Sequence, residues 1–220
     1  CKTFHPISLT EKAGMVQVGW FLRKKHWNFR CGEGVGQWVN RMICKSKRLR
    51  SGGGLIAAGG NEDEDKPMTL MIKDGHLWML GTQYHDNNEE AVVVDQPTIV
   101  EAMQEITVVQ VSAGPEHSLV LTESGEVYSF GEGQYGNLGH GDEEQQLVPK
   151  LIEMMRGKKV VQVSAGGLHN LVLTERGEVY SFGSGGHGKL GHGDEENQTR
   201  PKLIESMEGK RATQISASST

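Results

Sequence analysis

The chain repeats itself with a period of 52 residues. Residues 107–158 and 159–210 are identical at 38 of 52 positions without a gap, and a third copy begins at Arg211. A fixed period of about fifty residues is typical of proteins built from stacked supersecondary units. Each unit buries its apolar faces only against its neighbours, so the repeat predicts an array in which no single unit is stable alone.

One repeat predicts four short strands and no helix. Residues 108–112 and 118–122 are apolar, β-branched runs, and Ser124-Gly125 predicts a tight turn into a third strand at 126–130. Residues 149–153 predict an outer strand, where an initial proline is tolerated. Four strands per period are typical of a β-propeller blade, so we expect an all-β fold, a partial propeller of four-stranded antiparallel blades.

Both copies contain the run S-A-G-x-x-H-x-L-x-L-T-x-x-G-E-V-Y-S-F-G-x-G-x-x-G-x-L-G-H-G-D. This run resembles the repeat of the regulator of chromosome condensation family. The resemblance implies a seven-bladed propeller. It also implies one of three roles: nucleotide exchange on a small nuclear GTPase at chromatin, a binding platform fused to a ubiquitin ligase or kinase, or ultraviolet reception. The last role is disfavoured, because its tryptophans lie in the repeats and residues 107–220 contain none.

The repeat divides the chain into segments. Residues 55–106 predict a degenerate blade, 107–158 and 159–210 predict two intact blades, and 211–220 predict the start of another. Seven such blades need more than 220 residues, so the chain is expected to be a fragment. An open arc leaves its end faces bare, which predicts a marginally stable or sticky chain. A cooperative melt of a monomer would count against this expectation.

The degenerate blade departs from the pattern in its loops. Asp74-Gly75 is a strong signal for a hairpin turn of the mirror-image type, and residues 96–100 predict the outer strand. The glycine loop and the H-G-D element are absent, and the acidic stretch 61–67 replaces the segment that carries the histidine. We therefore expect a blade whose rim loops differ from those of its neighbours.

Residues 1–54 form a basic segment with no assigned structure. Residues 1–60 carry 11 Lys or Arg against 2 Asp or Glu, whereas residues 61–220 carry 12 against 26. The segment is either a genuine solvated arm or a wrongly translated exon end. Because the acidic repeats repel nucleic acid, contact with nucleic acid or chromatin is expected only through this segment.

The cysteines and the hydropathy pattern indicate where in the cell the protein is expected. Three cysteines without C-x-x-C spacing indicate reduced thiols in a cytoplasmic or nuclear setting. No apolar run approaches the length of a membrane span, so no membrane partner is expected.

Two repeated motifs resemble binding sites, one for phosphate and one for a metal ion, but a structural role is favoured for both. Residues 131–136 and 183–188 fit G-x-G-x-x-G, yet more glycines follow where a phosphate-binding helix would have to start, so a turn that links blades is favoured. The histidine pairs 117/169 and 140/192 recur one per blade, whereas zinc needs ligands that converge on one point. They are predicted to hydrogen-bond the backbone in turns. We expect no metal, no cofactor and no catalytic residue.

The differences between the two copies predict the partner-binding residues. Most differences fall at 115–118, 132–137 and 145–148, which are expected to be freely varying loop positions, and the Asp-Glu-Glu runs are expected to form an exposed acidic rim. Alanine in place of Tyr135 and His187 is expected to weaken a partner without lowering stability. The predicted partner-binding residues are Tyr135, Asp142, Glu143, Glu144, His187, Asp194, Glu195 and Glu196.

The leading hypothesis for function is a protein-interaction scaffold that is not an enzyme. One alternative is a guanine-nucleotide exchange factor, with a small GTPase as the protein partner. The other is the substrate-recognition part of a larger ubiquitin ligase, whose catalytic cysteine would lie outside this sequence. Stimulated nucleotide release separates the exchange factor from a passive scaffold.

Overall fold

The structure, a computed structural model, describes residues 56–58, 68–83 and 92–218. Within these ranges the chain forms three four-stranded antiparallel sheets, and its helical residues are confined to single 3-10 turns. The prediction of an all-β fold built from four-stranded blades is confirmed. The predictions for residues 1–54 and for the acidic stretch 61–67 lie outside the described residues.

Each sheet is an up-and-down meander, because every strand pairs with the next one in the chain. Blade one consists of β1 (Ile56–Ala58), β2 (Thr69–Lys73), β3 (His76–Gln83) and β4 (Val92–Ile99). Blade two consists of β5 (Val108–Ala113), β6 (His117–Thr122), β7 (Val127–Gly131) and β8 (Gln146–Leu151). Blade three consists of β9 (Val160–Ala165), β10 (His169–Thr174), β11 (Val179–Gly183) and β12 (Gln198–Leu203). The 3-10 turns are Glu101–Met103, Gln134–Gly136, Glu153–Met155, Gly186–Gly188 and Glu205–Met207.

The hairpin of the degenerate blade turns at Asp74-Gly75. These residues have φ of +54° and +79°, and Lys73 pairs with His76 across the turn. Positive φ at both central residues defines the type I′ turn, whose twist matches that of the flanking strands. The predicted mirror-image hairpin is confirmed, although the outer strand β4 begins earlier than residue 96.

The apolar core lies in the joints between blades, where one sheet face packs on the next. Blades two and three meet in a cluster to which each blade contributes five buried side chains, as a stacked array requires. Its members are Leu119, Leu121, Val127, Ile152 and Met155 from blade two, and Val160, Val163, Val172, Tyr180 and Phe182 from blade three. A second cluster joins blade one to blade two in the same way.

A glutamine in the innermost strand of blade two, and another in that of blade three, ties each blade to the segment that follows it. The Gln110 side chain donates from Nε2 to the carbonyl of Val163 at 2.9 Å and accepts from the Val163 N–H at 3.1 Å. Gln162 makes the same two bonds to Ile215, at 2.9 and 3.0 Å. The amide therefore copies a β-ladder pair, and it fixes the stagger of neighbouring innermost strands.

The glycine loop of blade two packs on the outer strand of blade three. The Gly141 N–H donates to the carbonyl of Thr199 at 2.9 Å, and a Cβ at Gly136 would lie 2.8 Å from that of Thr199. Because Gly136 also has φ of +74°, only glycine fits there without strain. The prediction of a blade-linking turn in place of a phosphate-binding helix is confirmed.

The far face of blade three is less covered than the same face of blade two. Ile152 and Met155 are fully buried in the joint, whereas the equivalent Ile204 and Met207 are half-buried. A cavity of about 360 Å³ lies beside them and beside residues 208–211. The predicted stickiness of the isolated chain stays a prediction.

Candidate functional site

The β5–β6 and β7–β8 loops of blade two and their counterparts in blade three lie at one end of the sheets. The chain passes from β5 to β6 through 114–116 and from β7 to β8 through 132–145, and the Glu132 N–H donates to the carbonyl of Glu116 at 2.9 Å. In blade three Ser184 bonds Leu168 in the same way at 2.8 Å. We call this end the loop face. It comprises residues 114–116, 132–145, 166–168 and 184–197.

The opposite end carries the short turns and the links between blades. We call it the turn face, and it comprises residues 123–126, 152–159, 175–178 and 204–211. The loop face has eight carboxylate side chains and one lysine, whereas the turn face has seven carboxylates and six Lys or Arg. The two ends therefore differ strongly in charge, and only the loop face attracts cations over its whole extent.

The acidic runs of the loop face combine a structural residue with exposed ones. Asp142 accepts a bond from the Glu144 N–H at 3.2 Å, and Asp194 does the same for Glu196 at 3.1 Å. The glutamates of both runs are exposed, whereas the two aspartates are half-buried. Asx turns of this kind hold a loop in shape. The chemistry available to a partner therefore lies with Glu143, Glu144, Glu195 and Glu196.

Tyr135 and His187 stand at the tips of the glycine loops. Their φ values are +59° and +61°, in the left-handed region that disfavours side chains, and the Tyr135 ring is 42% exposed. Each loop tip thus carries an exposed ring at a position where glycine fits better. The main chain beneath is held close, because a Cβ at Gly133 would lie 2.7 Å from the Glu143 carbonyl carbon.

The expectation that the differing positions vary freely is wrong at two of them. Ser118 lies inside β6 and is fully buried, as is its counterpart Asn170. Asn137 is also fully buried, whereas its counterpart Lys189 is half-buried beyond the last joint. At these positions the copies differ because their neighbours differ, and a difference in sequence alone does not reveal burial.

The first histidine of blade two is structural, but its partner is a side chain and not the backbone. His117 lies in β6, fully buried, with Nε2 2.8 Å from Asn170 Oδ1 in blade three. Burial lowers the pKa of His117 to about 4, against the smaller raising effects of Asn170 and Glu116. Burial also lowers the pKa of His169, and Lys189 adds to the effect. The predicted bond to backbone in a turn is wrong here.

The second histidine of each repeat meets a serine that the sequence analysis missed. The Ser129 hydroxyl donates to the Leu138 carbonyl at 2.6 Å, and His140 Nε2 lies 3.0 Å from Ser129 Oγ. Since the hydroxyl hydrogen is engaged, the imidazole must be the donor. A base that activates a nucleophile has to accept that proton, and Ser129 is also fully buried. The pair holds the loop and is not set up for catalysis.

Blade three repeats this pair with Ser181 and His192, where Oγ and Nε2 are 2.9 Å apart. Burial lowers the pKa of His140 to about 4, with Lys150 adding to the effect. Burial and Lys202 lower the pKa of His192 in the same order. Both imidazoles are therefore neutral at neutral pH, which suits a donor to a serine oxygen.

Neither a metal-binding cluster nor a membrane-spanning helix occurs in the described residues. In those ranges no three His, Cys, Asp or Glu side chains are gathered so that they could hold a metal ion. The same ranges contain no helix with the length and apolar character needed to cross a membrane. The exposed glutamates and loop-tip rings make the loop face the candidate site.

Comparison with known sequences identifies the repeat. The profile described as the regulator of chromosome condensation (RCC1) repeat matches residues 124–173 and 176–220, and a second profile with the same description matches 108–137 and 160–189. The chain is 43% identical over 128 residues to human E3 ubiquitin-protein ligase HERC2, which covers 57% of this chain and 3% of that protein. It is 37% identical over 120 residues to the ultraviolet-B receptor UVR8 of Arabidopsis thaliana, which covers 54% of this chain and 27% of the receptor.

Comparison with solved structures supports the same fold. Prp20p of Saccharomyces cerevisiae, a protein with described binding to Gsp1p and histones, superposes with a TM-score of 0.62 at 21% identity. The match covers 74% of this chain and 41% of Prp20p. At this identity the likeness establishes the fold alone. The chain spans less than half of each of these three proteins, so their whole activities do not transfer with the match.

Proposed function

The chain belongs to the regulator of chromosome condensation (RCC1) repeat family, and on that premise we propose that it is a protein-interaction scaffold that binds a basic protein partner through its loop face. The scaffold acts by binding and performs no bond chemistry of its own. One observation carries the proposal: the loop face has eight carboxylates and a single lysine, whereas charges on the turn face nearly balance.

The chemistry of the loop face favours a partner rich in lysine and arginine. Exposed carboxylates steer a cationic partner towards the face and bond its side chains, and this attraction falls as salt screens the charges. The Tyr135 ring at a loop tip adds a surface on which a cation can lie. The described histone binding of Prp20p makes histones a suitable probe of this chemistry.

Replacing Glu143, Glu144, Glu195 and Glu196 with glutamine is expected to weaken binding of purified histones about tenfold or more at low salt. The cause is the loss of four exposed charges, while Asp142 and Asp194 stay to hold the loops. Fluorescence anisotropy over a salt series measures both the affinity and its dependence on salt. The salt dependence is expected to decrease with the affinity.

A control with the same change in net charge sits on the turn face. The variant with glutamine at Glu123, Glu153, Glu205 and Glu208 removes four exposed carboxylates there and is expected to change histone affinity less than twofold. Equal weakening by the two variants would mean that only net charge matters, and the proposed binding face would be wrong. Failure of the unchanged chain to bind histones would contradict a basic partner.

Replacing Tyr135 and His187 with glycine is expected to weaken histone binding several-fold while the melting temperature stays within a few degrees. Glycine removes the exposed rings and also suits φ near +60°, whereas alanine would keep the backbone strain. Circular dichroism and the same anisotropy assay measure the two effects. Val148→Ala, which shortens a 59% exposed side chain of β8, serves as a control that changes neither. A large drop in melting temperature would show that the rings support the fold.

The two finer roles make different predictions. The identity to HERC2 favours a recognition module of a larger ubiquitin ligase, which binds its target without altering nucleotide. An exchange factor accelerates release of a fluorescent guanine nucleotide from a small GTPase. Stimulated release by the purified chain would contradict the passive scaffold that we propose.

A further inference from the structure

Among the positions at which the two intact repeats differ, one is fully buried in both copies, and it is Ser118 in blade two and Asn170 in blade three. We infer that the side chains at these positions decide which blade face each repeat accepts, with His117 and Asn170 as one matched pair and Met68 and Ser118 as the other. The pairs act as a selector that keeps nearly identical blades in order.

At the joint of blades two and three the selector is a buried polar chain. The Asn170 amide donates from Nδ2 to the carbonyl of Asn137 at 2.6 Å, which turns Oδ1 towards His117 Nε2 at 2.8 Å. The imidazole must therefore carry its hydrogen on Nε2. Gly114 makes room for the ring, since a Cβ there would lie 2.6 Å from His117 Cε1. Blade three thus satisfies two polar groups of blade two.

At the joint of blades one and two the same place is apolar. Thr69 stands opposite Leu80 in the blade-one ladder as Ser118 stands opposite Phe130 in blade two, so Met68 occupies the position of His117. Met68 packs against the apolar cluster of this joint and has no hydrogen to donate. The Ser118 hydroxyl is buried and has no hydrogen-bond partner among the described residues. This joint therefore accepts only a small side chain at the position of Ser118.

Apolar packing cannot distinguish the two blades. Both present four equivalent side chains to the preceding blade: Val108, Val111, Val120 and Phe130 in blade two, and Val160, Val163, Val172 and Phe182 in blade three. Blade three docked on blade one would bury the Asn170 amide beside a methionine. Blade two docked on a face with the His117 arrangement would leave an imidazole N–H and a carbonyl unpaired. Buried polar groups without partners are strongly unfavourable, so each mismatch opposes the wrong order.

A double-mutant cycle on the full chain tests the selector. Asn170→Ser is expected to lower the melting temperature by about 5 °C, because it leaves His117 Nε2 and the Asn137 carbonyl without their hydrogen-bond partner. His117→Met alone leaves the Asn170 amide oxygen without a hydrogen-bond donor. The double variant installs the pair of the first joint and is expected to recover at least half of the loss of Asn170→Ser. Losses that simply add would overturn the inference.

The first joint supplies matched controls. Ser118→Ala removes a hydroxyl that has no partner among the described residues and is expected to stay within about 1 °C of the unchanged chain. Ser118→Asn is expected to lower the melting temperature because Met68 cannot donate a hydrogen bond. A loss in Ser118→Ala equal to that of Asn170→Ser would overturn the inference. If a variant does not fold, the inference is tested on the unchanged chain. ¹⁵N NMR of the imidazole is expected to show that His117 is protonated on Nε2. Protonation on Nδ1 would overturn the pair.

Discussion

Replacing Phe182 with alanine is expected to lower the free energy of unfolding by about 4 kcal/mol. The Phe182 ring is fully buried in the joint of blades two and three, where Gly139 of the glycine loop lies against its edge. Its removal deletes apolar area and leaves a cavity that two stacked sheets cannot close. Since domains are stable by about 5–15 kcal/mol, this loss removes a large part of the total.

Urea unfolding followed by circular dichroism measures the change as a shift in the urea midpoint at a constant m-value. Val161→Ala is the control, because the Val161 side chain is 52% exposed in strand β9 of the same blade and its truncation is expected to cost less than about 0.5 kcal/mol. A loss below about 1 kcal/mol in Phe182→Ala would show that the joint is not the core of the array.

Acidification from pH 6.5 to pH 4 is expected to destabilise the chain by about 3 kcal/mol through His117 alone. Burial lowers the pKa of His117 in the folded chain to about 4, while the unfolded chain keeps the ordinary value of 6.5. Between these values the unfolded chain holds the extra proton, so the free energy of unfolding falls as pH falls. The full stability is present above pH 6.5. His140, with a pKa also lowered to about 4, acts in the same direction.

His117→Gln isolates the contribution of one side chain. The glutamine amide keeps a donor for Asn170 but does not titrate, so the variant is expected to lose about one proton of pH dependence in this window. Urea midpoints at pH steps between 4 and 7 measure the slope for both chains. An unchanged slope in the variant would mean that His117 titrates normally in the folded chain.

The repeated residues are of two kinds: the histidines stabilise the fold, and the exposed glutamates of the acidic loops are available to a partner. His117 is fully buried and His140 is half-buried; both side chains are hydrogen-bonded and neutral at neutral pH, so they stabilise joints and loops. Glu143 and Glu144 are exposed on the loop face and remain available to a partner. Sequence repetition alone treats both kinds alike, and their difference in burial is what assigns them to stability or to binding.

Much of this protein was determined by local sequence. The 52-residue period, the four strands of each blade and the turn at Asp74-Gly75 follow from patterns that span a few residues, because strand alternation and turn chemistry are local constraints. The glycine loop was also recognisable, since a helix cannot start in a run of glycines. These features suffice for the fold class and the family.

Only the tertiary structure decided what the differing positions do. Ser118, Asn137 and Asn170 looked like loop variation, yet all are fully buried where blades meet. Asn170 bonds His117, 53 positions away in the chain, and that contact exists only once the sheets are stacked. Likewise, the acidic loops share one face because the strands between them run antiparallel. The physical reason is that burial and charge segregation depend on the neighbouring blade, which the sequence of a single repeat does not contain.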